Sequence, residues 1–237
     1  MISVIIAAKD AEKWIGQTIE SLLSQSFKDW ECILSVNGSS DATQQIAESL
    51  SQKDNRFKTV VSDIPNKSLA LNRAIIQSSR DLISILDADD LWYEKKLEHQ
   101  IQYIISNEVD IVGTQMSYIN DTGSIIPNAP LLPSGHNECV AWLQSQRNPI
   151  ANSSVVYKKS LHDKVGYYDP EKFAVEDYDM WMRSARLKLK LTNLSEKYLF
   201  HRLHNSSNFN SNTKQQKHKE LVDALHKFYY ILDNQNG

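Results

Sequence analysis

The 237 residues are 41% hydrophobic and 23% charged, enough apolar material for a real core, which excludes a disordered chain. A formal net charge of −3 gives no reason to expect nucleic acid as a partner. The seven glycines never stand two apart, so neither a GxGxxG dinucleotide fingerprint nor a GxxxxGK[ST] phosphate loop can be written.

The first ninety residues alternate strand and helix patterns at βαβ spacing. Ser3 to Ala8 is a continuous apolar run, as in a strand covered on both faces. Asp10 is placed to cap a helix whose core positions are Ile15, Ile19, Leu22 and Leu23. Glu31 to Val36 reads as a second strand, Asn37 to Asp41 as a turn and cap, and Ile46, Ala47 and Leu50 as the core face of the next helix. Phe57 to Val61 gives a third strand, Ser68 to Ser78 a third helix and Leu82 to Leu86 a fourth strand. Such alternation predicts a parallel sheet with right-handed crossovers and a ligand site beyond the carboxyl ends of its strands.

After residue 90 the pattern loosens. Tyr93 to Ser106 reads as a helix with Leu97, Ile101, Ile104 and Ile105 on one face, and Asp110 to Ile119 as a strand. Residues 120–136, with Pro127, Pro130 and Pro133, read as a long loop of the kind that serves as a lid or binding loop. Glu176 to Arg186 reads as helix, Leu189 to Phe200 as strand and turn, and a last helix is centred on Leu221, Leu225, Phe228 and Ile231. The spacing of Cys32 and Cys139 argues against a metal or disulfide framework and favours a reducing compartment. With no basic leader and no run near the ~20 apolar residues of a membrane helix, the expectation is a cytosolic chain whose membrane contact, if any, is peripheral.

Three stretches carry the chemistry. Asp87-Ala88-Asp89-Asp90 places three carboxylates just past an apolar strand, where they repel one another unless solvated or neutralised by a cation. That fits a divalent metal with a diphosphate completing its coordination, and it also fits a plain acidic turn. Glu176-Asp177-Tyr178-Asp179 opens a helix, where the dipole favours acids whatever their role, and one of them is positioned to serve as a general base. His201-Arg202-Leu203-His204 places two histidines three apart, with no cysteine near to complete a zinc site. The run Arg183 to Lys190 is basic and fits either an anionic lipid surface or a strand with one wet face.

Taken in order, these stretches resemble the inverting family-two glycosyltransferases of the GT-A fold, over nearly the whole chain to about residue 210. The likeness runs from Ser3-Val4-Ile5-Ile6 through Thr18-Ile19-Glu20-Ser21-Leu22-Leu23 and Asn37-Gly38-Ser39-Ser40-Asp41. It continues in Ala70-Leu71-Asn72-Arg73-Ala74-Ile75, Asp87-Ala88-Asp89-Asp90-Leu91-Trp92 and Glu176-Asp177-Tyr178-Asp179-Met180-Trp181, and it closes in Arg202-Leu203-His204-Asn205-Ser206. It implies an α/β fold with a mostly parallel central sheet flanked by helices. One domain is expected over 1–210, with a nucleotide-sugar half at 1–110 and an acceptor half at 111–210, followed by a helical extension at 211–237.

The resemblance also implies roles. Asp87 and Asp89 hold the ribose and a Mn²⁺ or Mg²⁺ on the diphosphate, with His204 reaching the metal. Asp177 is the base and Glu176 orients the acceptor, while Ala7, Lys9 and Asn37 lie at the nucleotide and Asp90, Asn72 and Arg202 support the site. The implied reaction moves a hexosyl or N-acetylhexosaminyl group, from a UDP-sugar first of all, to a hydroxyl of a glycan or lipid-linked glycan. Bacterial surface polysaccharide synthesis at the inner face of the cell membrane is the implied setting. Two departures stand out. The usual P-x-Y-N after the first strand is replaced by Ala7-Ala8-Lys9-Asp10, and the usual paired aspartates after the second by Val36-Asn37. They motivate the alternative of a non-catalytic sugar-nucleotide or glycan-binding relative.

Overall fold

The structure, a computed structural model, describes residues 1–172, 174–204 and 212–235, with side chains of the last segment described over 216–229. Its first half follows the βαβ plan: β1 (Ile2–Ala8), α1 (Ile15–Leu23), β2 (Trp30–Asn37), α2 (Thr43–Lys53), β3 (Phe57–Ser62), α3 (Lys67–Gln77) and β4 (Leu82–Ile85). Then come β5 (Leu91–Trp92), α4 (Lys96–Ser106), β6 (Ile111–Ile119), β7 (Ile125–Ile126) and α5 (His136–Gln144). The chain ends with β8 (Val156–Lys158), α6 (Leu161–Val165), α7 (Glu176–Arg186), β9 (Leu191–Arg202) and α8 (Asn212–Gln235).

The strands form one mixed sheet in the order β3-β2-β1-β4-β8-β6-β9-β5, with β7 on β6. The first wing is parallel, with Ile5 opposite Ile33 and Ile85. Residues alternate between the faces of β1, so Val4 and Ile6 join a core with α1, Ala47 of α2 and Leu97 of α4. Ile5 joins the opposite core with Leu71 and Ile75 of α3, Trp181 of α7 and Val222 and Leu225 of α8. The last helix therefore packs on its own domain, and the Tyr229 hydroxyl donates to Asp179 Oδ1 at 2.6 Å. No helix among the described residues is long and apolar enough to cross a membrane.

Several local expectations are corrected. Asp10 does not cap α1. Its backbone turns left-handed (φ 47°) and its carboxylate accepts the Ser40 amide at 2.8 Å, tying the end of β1 to the turn after β2. Leu23, Ile105 and Phe228 turn outward, the last two 71% and 52% exposed. The helix expected from Tyr93 begins at Lys96, because Leu91 and Trp92 extend to pair with Phe200 and Leu199. The 120–136 segment is not wholly loop: it holds β7 and the first residue of α5. The stretch expected as strand and turn from Leu189 is one long strand, parallel to β6. Asn205, Ser206 and the side chain of Ile231 lie outside the described residues.

Candidate active site

The turn leaving β4 is fixed by long-range bonds. The Asp87 amide donates to Ser153 Oγ at 3.0 Å, and Thr18 Oγ1 lies 2.9 Å from the carbonyls of both Ala88 and Asp90. Asp90 is fully buried, accepting the Arg202 amide at 2.8 Å and pairing with His201 Nδ1 at 3.2 Å. Arg202, equally buried, aims its guanidinium at backbone oxygens: Asp89 at 2.7 Å, Asn120 at 3.1 Å and Asp121 at 3.2 Å. It also donates to Gln17 Oε1 at 2.8 Å. Asp90 and Arg202 thus brace the acidic turn against the end of β9. Asn72 also acts on backbone, clamping Tyr168 through its amide at 3.0 Å and its carbonyl at 2.7 Å.

That brace leaves Asp89 facing His204. Asp89 Oδ2 lies 2.8 Å from His204 Nε2, and the imidazole rests on Trp14 with ring centroids 4.0 Å apart. Burial opposes ionisation of Asp89, yet the His204 bond and the neighbouring positive charges outweigh it, and its carboxyl titrates below the ordinary range. The carboxylate is an oxygen ligand that suits Mn²⁺ or Mg²⁺, and the imidazole beside it fits Mn²⁺ better than Mg²⁺, with further oxygens left for a diphosphate to supply. Among the described residues no three acidic, histidine or cysteine side chains converge on one point. Asp87 is drawn elsewhere, to Lys67 Nζ at 2.9 Å.

Lys67, the first residue of α3, is a site group that the sequence does not reveal. Asn66 caps that helix by accepting the Leu69 amide at 3.0 Å, which sets Lys67 between two acidic elements. Its ammonium also lies 3.6 Å from Glu176 Oε1. Burial disfavours the charge, but Asp87, Glu176 and Asp177 outweigh it and hold the lysine protonated. A single lysine ahead of a helix carries no sequence signal that separates it from a solvated one.

Glu176 and Asp177 open α7, as the sequence predicts. Burial raises both carboxyls above the ordinary range against the pull of Lys67. Glu176 is buried, whereas Asp177 is half-exposed to the cavity. Asp177 is held at both oxygens, by Asn148 Nδ2 at 2.7 Å and by the Tyr178 amide at 2.8 Å. Asn148, like Lys67, was not predicted, because its contact depends on how two distant segments pack.

Lys67, Asp87, Glu176 and Asp177 line one cavity of about 630 Å³, which Trp142 and Arg147 also line. The nucleotide-side candidates are not among its lining residues and stand at the carboxyl ends of β1 and β2. Ala7 is half-buried, Lys9 is exposed and paired with Asp10, and Asn37 is buried with Oδ1 lacking a partner among the described residues. A left-handed turn at Gly38 (φ 70°) follows, where a Cβ would stand 3.0 Å from the Asp63 carbonyl.

Comparison with known proteins bears on the family and the fold. Residues 3–166 match the family described as Glycosyl transferase family 2. The O-antigen biosynthesis glycosyltransferase WbnJ of Escherichia coli is 33% identical over 212 residues, which span 87% of this chain and 81% of that protein. The amylovoran biosynthesis glycosyltransferase AmsB of Erwinia amylovora is 30% identical over 204 residues, 82% of this chain and 67% of that one. S. aureus TarS 1-349, solved with UDP-GlcNAc, superposes with a TM-score of 0.70 at 20% identity, over 89% of this chain and 60% of that chain. The mannosyltransferase PcManGT from Pyrobaculum calidifontis, solved with GDP-Man and Mn²⁺, does so with 0.72 at 13% identity, over 94% and 63%. These two likenesses are of fold, and the chain spans less than two thirds of either solved chain.

Proposed function

Because the chain belongs to glycosyl transferase family 2, we propose that it is an inverting enzyme that moves a hexosyl or N-acetylhexosaminyl group from a UDP-sugar to a hydroxyl of a glycan or lipid-linked glycan. One observation carries this reading: the β4 turn and the start of α7 meet around Lys67 in a single cavity, so a donor carboxylate and a candidate base face the same space. The named roles of WbnJ in O-antigen and AmsB in amylovoran biosynthesis support surface polysaccharide synthesis as the setting.

Asp177 takes the proton of the acceptor hydroxyl. Of the acid pair it is the more exposed, and burial raises its carboxyl above the ordinary range, which favours taking up a proton. Asn148 fixes one carboxylate oxygen, and Glu176 orients the acceptor. The acceptor oxygen attacks the anomeric carbon from the face opposite the diphosphate, the bond to the diphosphate breaks, and the nucleoside diphosphate leaves with the electron pair. Asp89 and His204 would hold Mn²⁺ or Mg²⁺, which would offset charge on the departing diphosphate. Ala7, Lys9 and Asn37 meet the nucleotide, and Asp87 the ribose. Bringing both substrates into one cavity supplies much of the remaining acceleration.

The test is release of nucleoside diphosphate from UDP-glucose, UDP-N-acetylglucosamine and GDP-mannose with Mn²⁺, by wild type and Asp177→Asn. Release from one donor, lost in the variant while donor affinity is kept, is the expected result. No release from any donor contradicts the reading.

A further inference from the structure

The cavity lining includes a basic group that the chemistry above does not use. Arg147 Cζ lies 3.5 Å above the Trp142 ring. The backbone explains why. The Arg147 amide returns to the Trp142 carbonyl at 2.8 Å and the Gln146 amide to that of Leu143 at 3.0 Å, the pair of bonds that closes a helix in a Schellman turn. Gln146 takes the left-handed conformation such a turn demands (φ 60°), at a cost that glycine would not incur. Helix closure thus returns Arg147 onto the indole of the residue to which its own amide is bonded.

Stacking occupies the flat face of the guanidinium and leaves its edge, a fork of N–H donors matched to carboxylate or phosphate oxygens. Among the described residues no carboxylate pairs with Arg147, whereas Arg56 and Arg183 each have an aspartate partner. The next residue, Asn148, holds the candidate base, so a ligand on Arg147 is registered against Asp177 through one peptide unit. Arg147 is solvent-exposed and Trp142 half-buried, and both line the cavity.

We propose that Trp142 and Arg147 form an anion subsite for the acceptor, selecting a glycan that carries a phosphate or a carboxylate close to the hydroxyl that is glycosylated. The proposal rests on the transferase reading in assigning this ligand to the acceptor. The two sources of the oxyanion, a sugar phosphate and a uronic acid, share one recognition chemistry and differ in tetrahedral against planar shape.

Binding of glucose 1-phosphate, glucuronate and glucose to wild type and Arg147→Gln, followed by ligand-observed NMR, tests it. Nucleotide binding with Mn²⁺ and melting temperature are measured on both proteins alongside. Wild type is expected to bind one anionic sugar at least about tenfold more tightly than glucose, and the variant to bind all three alike, with nucleotide binding and melting temperature unchanged. Preference for glucose 1-phosphate assigns a phosphate-bearing acceptor, and preference for glucuronate an acidic glycan. Equal binding of the three sugars by wild type, or an anion preference that survives in Arg147→Gln, overturns the subsite. Failure of every nucleotide to bind, with the anion preference present and lost in the variant, supports the subsite and counts against the transferase reading instead.

Discussion

The two wings of the sheet place site residues by different means. In the β3-β2-β1-β4 wing, short crossovers return each strand parallel to the last, and candidate residues stand at strand ends or on the turns that follow. In the β8-β6-β9-β5 wing, parallel and antiparallel pairings mix, and Asp177, Asn148 and His204 come from a helix start, a loop and the residues after a strand. The first wing is built from local rules, so strand order alone brings the carboxyl ends of its strands to one edge of the sheet. The second depends on ties between distant segments, and those ties are where a single substitution has the most effect.

The largest expected effect is at the acid pair. Asp177→Asn keeps the shape and one of the two accepting oxygens but removes the proposed proton acceptor, and turnover falls by about a thousandfold with nucleotide affinity unchanged, read by steady-state kinetics beside calorimetry. A comparable loss of nucleotide affinity would contradict the proposed split between a donor side in the first wing and a base in the second. Next comes the tie between the wings. Arg202→Met removes a fully buried guanidinium from the carbonyls of Asp89, Asn120 and Asp121, and chemical denaturation is expected to show a loss of about 3 kcal/mol.

What the sequence makes legible follows the same division. The strands and helices of the first wing are readable because each carries its own periodicity, and Glu176 to Arg186 is readable because acids and apolar spacing mark its start and face. Leu91-Trp92 is not, since a two-residue strand exists only through its pairing with Leu199 and Phe200. The same holds for Lys67, whose role appears only when α3 and α7 bring Asp87 and Glu176 to it, and for Asp10, whose preference for Ser40 over a helix cap is set by packing.

Smaller effects sharpen the comparison. Lys67→Met leaves two acids without their shared cation, and a loss of about 2 kcal/mol is expected in denaturation, moderated because the lysine is part exposed. Smallest is the pH response of the His201–Asp90 pair. Burial disfavours the charged ring, but Asp90 outweighs it and raises the imidazole from 6.5 to about 9. The stabilisation from this pair is complete below pH 6.5 and is lost as pH rises through about 9. Wild type therefore loses stability between those values and His201→Gln loses less, as urea midpoints at each pH would show.

The central claim is that one cavity joins a donor site built at the β4 turn to a base held at α7. The most direct test is a thermal-shift panel of UDP, GDP, dTDP and CDP, each with and without Mn²⁺, on wild type, Asp89→Ala and Asp177→Asn. The account predicts a Mn²⁺-dependent shift for one nucleotide, absent in Asp89→Ala and intact in Asp177→Asn. At a hundredfold excess over the dissociation constant the stabilisation is about 2.7 kcal/mol, well within reach of the method. No shift with any nucleotide, or a shift that survives in Asp89→Ala, contradicts it.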